Sequence, residues 1–279
     1  MTITDAQWKA ARETLRAAGD RFTRLVRTSE PRAMATADWS VADTAAHVAV
    51  IALMNTKLVT SEPFPFPKAH EIFETARVET VADFNDVTLR EFTERDVPTL
   101  AGRLTEDIDR ILSSTADHDP DEPLPWLGGA RIPVAGVFAH LTNELLIHGR
   151  DVARATGVRW EIDPADAAQF FEIFLVGVTR YGSGHLLDTD RPISDRRVAV
   201  EFRSRYTTPV TMVLDRGQVS LAAPRPDDDV RLFYDPATLA LMLFGRVSRA
   251  RAALTGKVVV WGRRPWLLPI FLKKMRLPS

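Results

Sequence analysis

Within residues 139–151, AHLTNELLIHGRD, two histidines and two carboxylates interrupt an apolar run at intervals of three and four residues. A helix turns ~100° per residue, so His140, Glu144, His148 and Asp151 share one narrow stripe. At a rise of ~1.5 Å per residue, His140 and His148 lie ~12 Å apart along the axis, but Glu144 and His148 only ~6 Å apart. Adjacent members of the stripe can therefore share one metal ion, while its ends cannot. A carboxylate oxygen and an imidazole nitrogen one turn apart suit Zn²⁺, and Asp151 can orient His148 or complete the site. A third ligand has to come from elsewhere, and His47 is the best candidate. It lies with Val50, Ile51, Met54 and Leu58 on the face its helix should turn inward, and facing helices build metal sites in bundle cores. A plainer account also fits, with His47 a hydrogen-bonded core histidine and the stripe a buried polar network or a solvated face.

The elements that must position these residues are marked by periodicity and punctuation. Trp8, Ala11, Leu15, Phe22, Leu25 and Val26 follow helical steps in a first helix. A second begins at DWSVAD, where Ser40 and Asp43 form a short capping box, and runs through His47 to about Thr60. PFPFP at 63–67 lacks N–H donors at its prolines and is expected as an extended connector able to line a cleft. Helical spacing resumes over 68–83, and again through Leu100, Leu104, Ile108, Ile111 and Leu112 to about 115. DHDPDEPLPWLGG, 117–129, reads as a loop by composition. The helix bearing the stripe spans Val134 to about Thr156, with Gly157 as its stop.

A further helix is expected over 164–180. Beyond it, RRVAVEF, PVTMVLD and GQVSLAA alternate as neighbouring antiparallel strands, with a tight DRG turn between the last two and VRLFYD as an added strand. DPATLALMLFG reads as a capped helix ended by Gly245, GKVVVWG as a strand and RPWLLPIFLKKM as a short final helix. The turn-rich GSGHLLDTDRP places a boundary at 182–195, giving a helical domain over 1–182 and a smaller α+β domain over 195–279.

With 36 basic and 37 acidic side chains the formal net charge is −1, which gives no general pull toward nucleic acid or anionic lipid. No stretch approaches the ~18 apolar residues of a membrane span, and MTITDAQWKA lacks the apolar core of a signal peptide, so a soluble cytoplasmic protein is expected. There is no cysteine, so any thiol chemistry must use a thiol brought in from outside.

WSVADTAAHV at 39–48 and ELLIHGRDVARATG at 144–157 together resemble the mycothiol-dependent maleylpyruvate isomerases. The resemblance implies a DinB-like four-helix bundle and a zinc site made by His47, Glu144 and His148. DVRLFYDPATLALMLFGR and TGKVVVWG resemble sterol carrier proteins, so the implied class is α+β, a four-helix bundle followed by a smaller sterol-carrier-like α+β domain. Three protein ligands leave a position open, as in catalytic zinc, and the implied occupant is mycothiol or another low-molecular-weight thiol. A coordinating thiol is deprotonated, and the thiolate is the nucleophile. In the family's isomerase its addition to a cis double bond conjugated to carbonyls leaves a single bond, which rotates before the thiol is expelled. With another electrophile the same first step ends in a stable thioether.

Glu144 and Arg246 are the catalytic candidates under that resemblance, Arg246 because a guanidinium holds a carboxylate bidentately. An arginine neutralising a helix C-terminus fits Arg246 equally. His140 and Asp151 are candidates for contacting the thiol cosubstrate, and Trp126, Phe64 and Phe66 for lining the cleft. The expected partners are a small electrophile and a thiol, without nucleic acid or membrane, and monomer and homodimer both stay open. Two other functions fit the residues. In one, LALMLF lines a tunnel for an apolar ligand and the bundle is structural; in the other, metal-bound water hydrolyses a substrate.

Overall fold

Thr4 and Gln7 cap each other reciprocally to open helix α1 (Asp5–Arg27). Ser40 and Asp43 do the same for α2 (Val41–Val59): the Asp43 amide donates to Ser40 Oγ and the Ser40 amide to Asp43 Oδ2, both at 3.2 Å. The structure, a computed structural model, describes residues 2–190 and 194–275. The helical stretch expected over 68–83 is divided. α3 (Pro67–Phe73) starts on the last proline of PFPFP, whose missing N–H is harmless at a first helical position, and α4 (Val81–Glu91) follows a 3₁₀ turn at Val78–Thr80. Phe73 and Phe84 meet at 6.3 Å between ring centroids, so apolar spacing that looks continuous comes from two short helices facing one another.

α5 (Val97–Ser114) is capped by Asp96. The segment expected as loop over 117–129 instead contains strand β1 (Pro123–Trp126), antiparallel to β2 (Ala130–Pro133). Gly128 and Gly129, both at φ 68°, make the reversal, and prolines are tolerated because each strand of a two-stranded ribbon has a free edge. α6 (Val134–Thr156) follows directly and ends at Gly157 with φ 71°. α1 and α2 each pack on α5 and α6, and Leu15, Phe22, Leu104, Ile111, Phe138 and Leu145 lie in their shared core.

The helix expected over 164–180 is α7 (Pro164–Gln169) and α8 (Val176–Tyr181), joined by a π-helical turn, Phe170–Leu175. The wider turn sends neighbouring side chains to different places. Phe170 and Phe174 stack at 5.2 Å in the helical core, whereas Phe171 meets Phe202 at 4.9 Å and Tyr234 at 5.2 Å in a second core under a sheet.

That sheet comprises β3 (Val198–Arg203), β4 (Val210–Asp215), β5 (Gln218–Ala222), β6 (Val230–Tyr234) and β7 (Val258–Trp261), in the order β5-β4-β3-β6-β7. The DRG turn joins β4 to β5 with Arg216 and Gly217 both at positive φ. β6 returns beside β3 and runs parallel to it, so the sheet is mixed. α9 (Pro236–Leu243) is capped by Asp235, and α10 (Arg249–Leu254) is a six-residue helix too short for periodicity to register. α11 (Leu268–Lys274) closes the described fold. Residues 191–193 of the expected boundary lie outside the described residues. The fold is thus a mixture of helix and sheet, and no described helix is long and apolar enough to cross a membrane.

Phe171 and Val176 are the buried side chains that the helical half places in the sheet's core. Phe171→Ala should lower stability by about 3–5 kcal/mol, as for other buried aromatics, with circular dichroism unchanged at low denaturant. A shift in the urea midpoint worth under about 1 kcal/mol would show that the two cores are not joined through this ring.

Candidate metal centre

His47 sits in the second turn of α2, and Glu144 and His148 are one turn apart on α6, so packing α2 against α6 brings the three together. All are buried, at 3%, 8% and 6% exposure. His47 Nε2 lies 3.4 Å from Glu144 Oε2, and His148 Nε2 lies 3.3 Å from the same oxygen. One donor atom from each of the three falls within 4.8 Å of the others. Ligand atoms bonded at ~2.0–2.1 Å to a tetrahedral ion stand ~3.3 Å apart, and the two edges that meet at Glu144 Oε2 have about that length.

Electrostatics prepares two of the three donors for a cation. Burial pushes the Glu144 carboxyl up, but hydrogen bonds from His148 and His47 outweigh it and hold the group well below the usual carboxylate range. Burial lowers His47, only partly offset by Glu144, which favours the neutral imidazole that ligates metals. Burial acts on His148 too, but Asp151 and Glu144 outweigh it and raise this histidine; its proton would have to leave on metal binding.

Asp151 stands behind His148, with Oδ2 3.5 Å from Nδ1, and this leaves Nε2 facing Glu144. On its other side Arg246, from the turn after α9, donates to Oδ2 through Nη2 at 2.7 Å and Nε at 3.2 Å, while Nη1 donates to the Phe244 carbonyl at 2.5 Å. Arg246 is therefore engaged on a carboxylate of α6 and on a carbonyl at the α9 C-terminus. Its hydrogen-bond partners among the described residues are Asp151 and Phe244, not the three donors.

His140 Nε2 is 3.7 Å from Glu144 Oε1, and its ring packs against Trp126 at 4.8 Å and Phe174 at 5.1 Å. Its side chain is 17% exposed, more than the other members, so the cluster is most accessible from its side. Trp39, which sequence spacing did not single out, packs on His47 at 4.6 Å and on His148 at 6.0 Å. Its signals were its place just before the Ser40 cap and as the first residue of the motif at 39–48. Phe64 and Phe66 pack instead with Phe73 and Phe92.

A family profile described as "Mycothiol maleylpyruvate isomerase N-terminal domain" matches residues 14–153, half of the chain, and contains all three donors. The chain belongs to this family. The mycothiol maleylpyruvate isomerase N-terminal domain ends two residues beyond Asp151, so Arg246 reaches into it from outside the matched region. A crystal structure of the mycothiol-dependent maleylpyruvate isomerase aligns over 93% of this chain and 95% of its own, at 15% identity and a TM-score of 0.52. A histidine-to-alanine mutant of that isomerase aligns over the same shares at 14% identity and a TM-score of 0.53. At such identities the likeness is one of fold. A sequence search of curated proteins returns no match.

Arg246→Ala would leave the Asp151 carboxylate buried beside His148 alone. The expected cost at pH 7 is about 2–3 kcal/mol, below that of a fully buried pair because Arg246 is partly exposed. Burial raises the Asp151 carboxyl, but His148 and Arg246 outweigh it and lower it, so the pair's contribution is complete above the unfolded carboxylate value near ~3.9. It is lost as pH falls through the depressed folded value. Urea unfolding of wild type and variant at pH 7 and pH 3 measures this: the gap between them should narrow in acid, and a gap that widens would contradict the assignment.

Proposed function

We propose that this protein is an enzyme that binds one zinc ion through His47, Glu144 and His148 and activates mycothiol, or a similar low-molecular-weight thiol, toward a small electrophile. The observation that carries this is the pair of 3.3–3.4 Å edges meeting at one buried carboxylate oxygen, in a chain of this family. When bound, the ion supplies Lewis acidity that lowers the pKa of a coordinating thiol.

This chain's own residues do the rest. Glu144 contributes the negative charge of the ligand set, and His47 and His148 complete it from two helices. Asp151, with Oδ2 3.5 Å behind Nδ1, is placed to align His148, as carboxylates do behind metal-bound imidazoles. Arg246 holds Asp151 ionised and fixed, and so acts as a positioning residue rather than as a clamp on substrate. His140, on the accessible side between Trp126 and Phe174, is placed to meet the thiol or the electrophile. The absence of cysteine leaves no internal thiol to compete for the open position.

The solved relatives are described as a mycothiol-dependent maleylpyruvate isomerase, so cis–trans isomerisation of an unsaturated dicarbonyl acid is the first reaction to assay, with S-transfer second. In the fold this reading assigns, the first 182 residues are a DinB-like four-helix bundle and residues 195–279 a sterol-carrier-like domain. A cytoplasmic setting, where such thiols stay reduced, fits it. The apolar run of α9 favours packing over a lipid tunnel: Leu239 and Ala240 are buried, and Phe244 meets Phe170 at 5.6 Å.

Purified protein should bind one zinc per chain, and His47→Ala should weaken binding more than about 100-fold, since even residues behind metal ligands cost 10–100-fold. Calorimetry should detect thiol binding to the zinc-loaded protein that disappears on chelation. Full metal occupancy in His47→Ala removes the site, and zinc-dependent hydrolysis without added thiol replaces the thiol enzyme by a hydrolase.

A further inference from the structure

Acidic residues stop at Asp235. The 44 residues after it carry nine lysines and arginines and no aspartate or glutamate, whereas the 235 up to it carry 27 basic and 37 acidic side chains. The near-neutral total thus conceals a segment of charge +9 against a remainder of −10. In the fold this segment supplies α9, α10, α11 and β7, one of the two edge strands of the sheet. Arg246, Lys257, Arg264 and Lys274 are used internally, on Asp151, Asp235, Asp229 and Asp188. Arg249, Arg251, Arg263 and Lys273 are exposed and make no ion pair among the described residues.

Apolar exposure concentrates in the same place. Of the eight large apolar side chains exposed among the described residues, five lie between 254 and 266: Leu254, Val259, Val260, Trp261 and Trp266. Leu254 is 89% exposed and Trp266 66%. α10 contacts β7, and the turn bearing Trp266 follows β7 after three residues and contacts β6, so these groups flank the β7 side of the sheet. Charges beside an edge strand do discourage pairing with other chains. That does not explain Leu254 and Trp266, which lie outside the strand and are unfavourably placed in water.

A second copy is a poor occupant, because two-fold pairing across β7 would bring both sets of unpaired arginines together. Nucleic acid is a poorer fit than lipid, because Leu254, Val259 and Val260 offer neither a stacking face nor hydrogen bonds to bases. We propose that this edge is a peripheral docking surface for an anionic lipid bilayer, with Trp266 and Leu254 entering the headgroup boundary and Arg249, Arg251 and Arg263 meeting lipid phosphates. Interfacial binding combines buried apolar area with attraction to anionic lipid, and tryptophan favours the interface. Each arginine or lysine near an anionic leaflet strengthens partitioning about fivefold. The acidic remainder turns the chain so that this edge leads. This inference goes beyond the metal-site reading and does not depend on it.

The full-length protein can be sedimented at low salt with vesicles of phosphatidylcholine alone, or of phosphatidylcholine with one-third phosphatidylglycerol. Binding is expected only to the anionic vesicles, with loss at high salt. It should weaken at least about tenfold when Arg249→Glu and Arg263→Glu are combined. Trp266→Ser should diminish both binding and the blue shift of tryptophan emission, while circular dichroism shows the variants folded. The proposal is overturned by equal binding to both vesicle types, by no binding to either, or by binding undiminished after charge reversal. It is also overturned if a single-stranded oligonucleotide displaces the vesicles at equal phosphate, or if the protein forms a dimer that shields Trp266 and ignores lipid. Wild-type protein alone decides the lipid comparison, should a variant fail to fold.

Discussion

A carboxylate removed from water must be compensated where it stands, and Glu144 is buried in the contact between α2 and α6. Its compensation cannot come from its own helix alone. His148 is one turn away on α6, but His47 has to be delivered by α2, so the helices are held at the approach that keeps both imidazoles 3.3–3.4 Å from one oxygen. The capping box at Ser40 fixes where α2 begins, and with it which of its turns carries His47 past Glu144. Trp39, just before that cap, is placed to cover both imidazoles.

The compensation continues outward with alternating sign. Glu144 meets His148, His148 meets Asp151, and Asp151 meets Arg246. The last link leaves the helical half, because Arg246 belongs to the turn after α9. Removing it would not touch the three donor atoms, yet it would leave Asp151, the carboxylate behind the donor His148, buried without its arginine. The π-turn makes a second connection by apolar means, with Phe170 and Phe174 in one core and Phe171 in the other. Together these contacts make the sheet-bearing half part of the surroundings of the cluster rather than an appendage.

Charge works at a longer range as well. A formal charge of −1 argues against anionic partners only if it is spread evenly, and here it is not. The basic C-terminal segment pairs part of its charge with aspartates of the earlier chain, while Arg249, Arg251 and Arg263 stay exposed in the stretch that also exposes Leu254, Trp261 and Trp266. The protein thus has two chemically different regions, a buried cluster of donors that could hold a metal ion and an open edge that carries exposed arginines.

Much of this organisation was legible in the residues themselves. The four-residue spacing of His140, Glu144 and His148 depends only on helix geometry, and the caps at Ser40, Asp235 and Gly157 are local hydrogen-bonding and conformational preferences, so sequence alone specified them. The β1–β2 ribbon was not legible, because proline and glycine read as loop until the two edges pair, and α10 was too short to show a period. Neither was the break at residues 74–80, since two helices facing each other mimic one longer stripe. The arrangement of Asp151 and Arg246, 95 positions apart, was decided by tertiary structure alone. Sequence named both residues as candidates for binding small molecules, but an ion pair depends on which surfaces meet. No local preference encodes that a turn after α9 will close over the back of α6 and turn a free arginine into a fixed one.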